Sequence, residues 1–82
     1  MKTKMAFENA GYDIKDYKMY RKQENGENFV VLAHNKKSGM WATWECTNGN
    51  DFYWGHYFDS YIEARKDYYT RLASKYDLPW EG

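Results

Sequence analysis

The chain has one cysteine, Cys46, and one proline, Pro79, in 82 residues, and it carries no net charge because twelve Lys and Arg balance twelve Asp and Glu. A lone thiol excludes an intramolecular disulfide and a thiolate metal cage, so a reducing, cytoplasmic setting is expected. Aliphatic side chains are scarce as well: Leu, Ile, Val and Phe together number eleven. The longest apolar run, Phe29-Val30-Val31-Leu32-Ala33, falls far short of the roughly 20 residues that span a bilayer. Lys2 and Lys4 have no apolar stretch behind them, so neither a secretory signal nor a membrane span is expected. So few aliphatics often mark disorder, but disorder also goes with few aromatics and high net charge. Here 21% of the residues are aromatic, nine Tyr, four Trp and four Phe. The composition therefore reads as one small globular domain with an aromatic core, residues 1–82.

Two kinds of local signal organise the chain. Residues 4–10 read as a short helix stopped by Gly11, a common C-terminal glycine. From residue 17 onward, β-rich runs at 17–22, 28–34, 40–46 and 51–58 alternate with turn signals at Asn25-Gly26, at residues 35–39 and at Asn48-Gly49. Asn-Gly between such runs favours a tight hairpin because both residues tolerate positive φ. Ser60-Tyr61-Ile62-Glu63 then matches a capping box. Behind it Tyr61, Ile62, Ala64, Tyr68, Tyr69, Leu72, Ala73 and Tyr76 recur at helical spacing, and the residue before Pro79 disfavours helix. The spacing predicts a helix over 61–76. The expected fold is α+β: an antiparallel β-meander of three to four strands packed on one C-terminal amphipathic helix, with a short N-terminal helix.

Strand alternation divides the sheet into two faces once the turns set the register. Two-residue turns at both Asn-Gly pairs and a loop centred on Lys37 place Val30, Leu32, Ala42, Trp44, Cys46 and Gly55 on one face. Ala42 beside Gly55 leaves a shallow spot for the helix there. The other face carries Tyr20, Phe29, Trp41, Thr43, Glu45 and Trp54, the candidate interaction surface. If the last turn is instead a bulged three-residue loop, Tyr53 and Tyr57 replace Trp54 on that face. An aromatic patch of this kind needs a cover or a partner. Two readings stand: the N-terminal segment with Met5, Phe7 and Ile14 lies across it, or it is a binding face.

Few residues suggest chemistry. Cys46, His34 and His56 invite a nucleophile–base reading, but alternation puts Cys46 and His56 on opposite faces. Two histidines 22 residues apart make no metal-ligand spacing. No nucleophile, base and oxyanion donor come together, so no enzymatic activity, metal or cofactor is expected. Arg65 falls within the helix's apolar stripe, where it either stacks on an aromatic ring or emerges at the sheet edge to hold an anion.

Charge is uneven: residues 1–37 carry a net +3 and residues 38–82 a net −3. Lys18, Arg21, Lys22, Lys36 and Lys37 are expected to line one end of the sheet around the second hairpin loop. Cations beside aromatics are the chemistry of a nucleic-acid surface, though a dedicated domain is basic overall. Gly39-Met40-Trp41-Ala42, Trp54-Gly55 and the junction Phe58-Asp59-Ser60-Tyr61-Ile62-Glu63-Ala64-Arg65-Lys66-Asp67-Tyr68 resemble, in order, the strand and strand-to-helix motifs of AP2-type DNA-binding domains. The resemblance covers residues 39–68 and implies a three-stranded sheet on one helix, with the sheet laid in the DNA major groove. On the matching strands this chain has Thr43, Glu45 and Tyr53 in place of the family's arginines. Balanced charge and Tyr/Trp enrichment favour a non-enzymatic protein-interaction or regulatory module, with a protein partner or a second copy in a homodimer. A nucleic-acid-binding domain is the alternative.

Overall fold

A computed structural model describes residues 4–24 and 26–76. Pro79 and Trp80, expected to end the helix and to fold back on it, lie outside those residues. The chain forms five antiparallel strands, β1 (Glu8–Asn9), β2 (Tyr12–Gln23), β3 (Gly26–His34), β4 (Trp41–Thr47) and β5 (Asp51–Phe58), followed by one helix, α1 (Tyr61–Tyr76). The strands lie side by side in chain order, and the sheet curls. The fold is thus α+β with one C-terminal helix, as the sequence implies, but with five strands rather than three or four. The helix starts where the capping box puts it, with the Glu63 amide donating to Ser60 Oγ at 3.3 Å.

The expected N-terminal helix is replaced by a hairpin. Asn9 pairs with Tyr12, and the two residues between them, Ala10 and Gly11, have φ of 54° and 84°. Positive φ at both central positions is the hairpin turn that matches strand twist. A seven-residue helix cannot sustain itself without packing, whereas β1 gains β2 as a partner. β2 accordingly begins five residues earlier than the sequence pattern indicates.

Neither Asn-Gly turn has its expected register, since Gln23 pairs with Gly26, Val31 meets Tyr17 rather than Tyr20, and Thr47 pairs with Asp51. Between β3 and β4 the register differs by a single residue, and that residue reorganises the molecule. His34 pairs with Trp41, Leu32 with Thr43 and Val30 with Glu45. The connection between β3 and β4 therefore has six residues. Asn35 shapes it: its Oδ1 accepts from the Lys37 and Ser38 amides at 2.9 and 3.1 Å, and its carbonyl accepts from the Gly39 amide at 2.7 Å. A one-residue slip sends every side chain of a strand to the opposite face. Trp41, Thr43 and Glu45 consequently share the face of Val30 and Leu32, while Ala42, Trp44 and Cys46 share the other.

Each face has its own core. On the helix side Val30, Leu32, Ala64, Tyr68 and Leu72 are buried together, with Tyr20, Trp41 and Phe58 at the margin. On the far side Phe29, Val31, Ala33, Ala42, Trp44 and Cys46 are buried with Met5, bordered by Tyr12, Ile14 and Phe52. The N-terminal segment covers this far face, not the expected patch, of which only Phe29 lies here while Trp41, Thr43 and Glu45 lie on the helix side. The Ala6 amide bonds the Gly49 carbonyl in the β4–β5 turn, and the Ile14 amide bonds the Phe7 carbonyl, both at 2.9 Å. Met5 and Ile14 pack on this core, but Phe7 stays 83% exposed. No helix among the described residues is long and apolar enough to cross a membrane.

Candidate functional site

Glu45 and Thr43, expected outside, lie under α1 at 2% and 0% exposure. A carboxylate so placed must be paired, and the helix supplies the partner. Arg71 Nη1 donates to Glu45 Oε2 at 2.7 Å, and its Nε is shared between Thr43 Oγ1 and Asp67 Oδ2, each at 3.2 Å. The second Glu45 oxygen accepts from Tyr20 OH at 3.0 Å and faces Lys75 Nζ at 3.5 Å. Lys75 also sits 5.0 Å over the Tyr20 ring. Asp67 Oδ2 further receives the Thr43 hydroxyl and meets His56 Nδ1 at 3.0 Å. Burial would push the Asp67 carboxyl up, but the bonds from Thr43, His56 and Arg71 outweigh it and hold the group below its usual value. Burial first, and then the bond to Glu45, push the Tyr20 phenol up.

The last arm of this network leaves the core. Arg71 Nη2 donates to the backbone carbonyl of Trp54, which is in a β-bulge. Thr43 pairs with His56 and Glu45 with Tyr53, so Trp54 and Gly55 together oppose Trp44. The β4–β5 turn is the three-residue loop, since Thr47 pairs with Asp51. Gly55 does not receive the helix. The Trp44 indole, from the far core, packs against it: a Cβ at position 55 would stand 2.5 Å from Trp44 Nε1 and 2.8 Å from Tyr57 OH. Trp44 Nε1 donates to that same hydroxyl at 3.2 Å. Only glycine fits, and the bulge forces the preceding residue to φ 55°, a conformation costing a bulky L-residue roughly 1–3 kcal/mol. The result is Trp54 at 72% exposure, edge-on to the Tyr53 ring at 5.2 Å, with Tyr57 also exposed nearby on the strand.

The other sequence-derived candidates are dispersed. Trp41 is half-buried, stacked on His34 at 4.2 Å and tilted against Tyr61 at 4.7 Å. Phe29 is buried in the far core and Tyr20 is half-buried against Glu45, so the six candidate residues form no common outer face; Trp54 alone is well exposed. The five candidate cations do not share one end of the sheet either. Arg21 and Lys22 lie toward the β2–β3 turn, whereas Lys36 and Lys37 lie in the β3–β4 connection, separated by the nine residues of β3, roughly 27 Å of strand. Lys18 is exposed midway along β2. Lys22 pairs with Glu27 at 3.9 Å and Lys36 with Asp13 at 3.7 Å. Arg65, expected within the buried stripe, is exposed and lies 5.6 Å over the Tyr69 ring. It stacks, but on the outer side of the helix, where Ile62 is 61% exposed.

His56 and Asp67 form a dyad that strand alternation and helix periodicity do not bring together, because Asp67 reads as a residue of the solvent side. Among the described residues no hydroxyl or thiol bonds His56, and Cys46 is buried on the far side of the sheet, its thiol pushed up to about 11 by that burial. Among the described residues no three His, Cys, Asp or Glu are grouped to hold a metal ion. Arg71 has the clearest signal among the residues missed: once Glu45 is under the helix, a cation one turn from Tyr68 and beside Leu72 is required to neutralise it. Compared with protein-family models, with curated proteins and with solved structures, the chain matches none.

Proposed function

We propose that the chain is a small protein-interaction module whose contact residue is Trp54, presented from the outer strand β5. The observation that carries this reading is the conflict at position 54. A large apolar side chain is left in solvent on a backbone conformation that disfavours it, while a half-buried arginine and a glycine hold that backbone in place. Exposed tryptophan held rigidly is what interface hot spots use, because little conformational freedom remains to be lost on contact. Tyr53, on the helix face of the same strand, lies edge-on to the Trp54 ring.

The test is a selection of binders from a displayed library of random twelve-residue peptides, run in parallel on the wild-type protein and on Trp54→Ala. The reading expects peptides that bind wild type and lose at least about tenfold in affinity on the variant, the ordinary loss at a hot-spot tryptophan. Peptides that bind both proteins equally would place the contact elsewhere. An empty selection on wild type would also count against the proposal.

A further inference from the structure

We infer that the partner docks along the β5 edge as an extended segment bearing Lys or Arg, an inference that rests on Trp54 being the contact residue. The first support is the charge around the site. No Lys or Arg occurs between Lys37 and Arg65, a stretch that includes all of β4, β5 and the start of α1. Its one buried acid, Glu45, is neutralised by Arg71 and Lys75. Asp51, at the start of β5, and Asp59, just past its end, are exposed, and among the described residues neither forms an ion pair. Two uncompensated carboxylates thus bracket an aromatic strand that has no cation of its own. A lysine or arginine arriving there gains a carboxylate at either end and the exposed Trp54 ring between them, where a cation is attracted to the ring face.

The second support is the contrast between the two open edges of the sheet. β2 is exposed beyond its short pairing with β1, and it carries the devices that discourage strand addition. These are Lys15, Lys18, Arg21 and Lys22, two register shifts, and the Asp16 side chain accepting from the Tyr17 amide at 2.8 Å. β5 pairs only with β4 among the described residues, and its only interruption is the Trp54 bulge. On either side of the bulge, residues 51–53 and 56–58 keep short runs of edge backbone. An extended segment can bond such runs while its side chains meet alternate pockets.

Three fluorescein-labelled twelve-residue peptides decide the matter. All carry alternating Val and Thr at odd positions, with Lys, Gln or Glu at every even position. Fluorescence anisotropy against the full chain is expected to show the Lys peptide binding at least about tenfold tighter than the Gln peptide, with the Glu peptide weakest. That preference should shrink as salt is raised from 50 to 300 mM, because exposed charges are screened. It should also disappear in Asp51→Asn/Asp59→Asn, and Trp54→Ala should weaken all binding. Equal affinity for the Lys and Gln peptides, with Trp54 still required, would overturn the charge inference and leave the contact residue standing. A Lys peptide that binds Trp54→Ala as well as wild type would overturn both. Sedimentation showing oligomers that Trp54→Ala abolishes would assign the edge to a second copy of the chain and overturn the proposed partner, as would the absence of any binding.

Discussion

Arg71 is the residue on which the sheet, the helix and the exposed tryptophan depend together. Replacing it with alanine removes the 2.7 Å bond to Glu45 and leaves that buried carboxylate with a phenol at 3.0 Å and an ammonium at 3.5 Å. It also strips one donor from Asp67 and the donor from the Trp54 carbonyl. Breaking a buried pair from one side costs about 3–5 kcal/mol, because the remaining charge stays desolvated. Against a total stability of about 4–12 kcal/mol for a domain of this size, Arg71→Ala should lower the melting temperature by well over ~12 °C, at about 4–8 °C per kcal/mol. The double variant Glu45→Leu/Arg71→Met fills the same space without that pair. Apolar replacement of a buried pair is often neutral, so it should be more stable than Arg71→Ala by about 2 kcal/mol. Urea denaturation followed by circular dichroism of the wild type, Arg71→Ala, and the cycle of Glu45→Leu, Arg71→Met and their double variant tests this. A loss below about 1 kcal/mol in Arg71→Ala, or a double variant whose loss is the sum of the singles, would refute the buried clamp.

Other consequences are simpler to check. Gly55→Ala drives a methyl into the Trp44 indole and should cost about 2–3 kcal/mol, the upper range for overpacking, whereas a loss under about 0.5 kcal/mol in urea denaturation would contradict the contact. Because the folded state holds the Asp67 carboxyl below its unfolded value, the stability it confers is present above about pH 4 and is lost as pH falls through the folded value. Acid denaturation of Asp67→Asn should therefore be less steep than that of wild type in that window, and parallel curves would exclude the linkage. Cys46, buried and with its thiol raised to about 11, should react with a disulfide reagent at pH 8 only after denaturation. Rapid labelling of the native protein would show the far core to be open.

The elements were legible in the sequence where the signal is local. Ser60 and Glu63 mark the helix start, and Asn-Gly dipeptides mark two of the hairpins. Gly11 was ambiguous, since positive φ suits both a helix end and a tight hairpin, and only the availability of β2 as a partner decides between them. The faces of β4 were not legible for a sharper reason. Trp41-Ala42-Thr43-Trp44-Glu45-Cys46 has large and small side chains on both alternations, and both sides are buried, so hydrophobicity cannot choose. Glu45 pointed the wrong way, because a carboxylate reads as exposed until its partners from α1 are known. The choice rests instead on one residue in the β3–β4 connection, fixed by hydrogen bonds to Asn35. Alternation alone marks Trp54 only as part of a broad face. Its exposure follows from the bulge, of which the sequence carries only the hint of a glycine within a strand.

Trp54 serves as a preorganised contact only if it is held in place before any partner arrives. Nitrogen-15 relaxation of the Trp54 backbone amide and indole Nε1, in wild type and in Glu45→Leu/Arg71→Met, measures this directly. The clamp predicts a wild-type order parameter near the rigid value of about 0.85, falling toward about 0.6 when Arg71 no longer holds the carbonyl. A tryptophan already disordered in wild type, or equally rigid in both proteins, would contradict it.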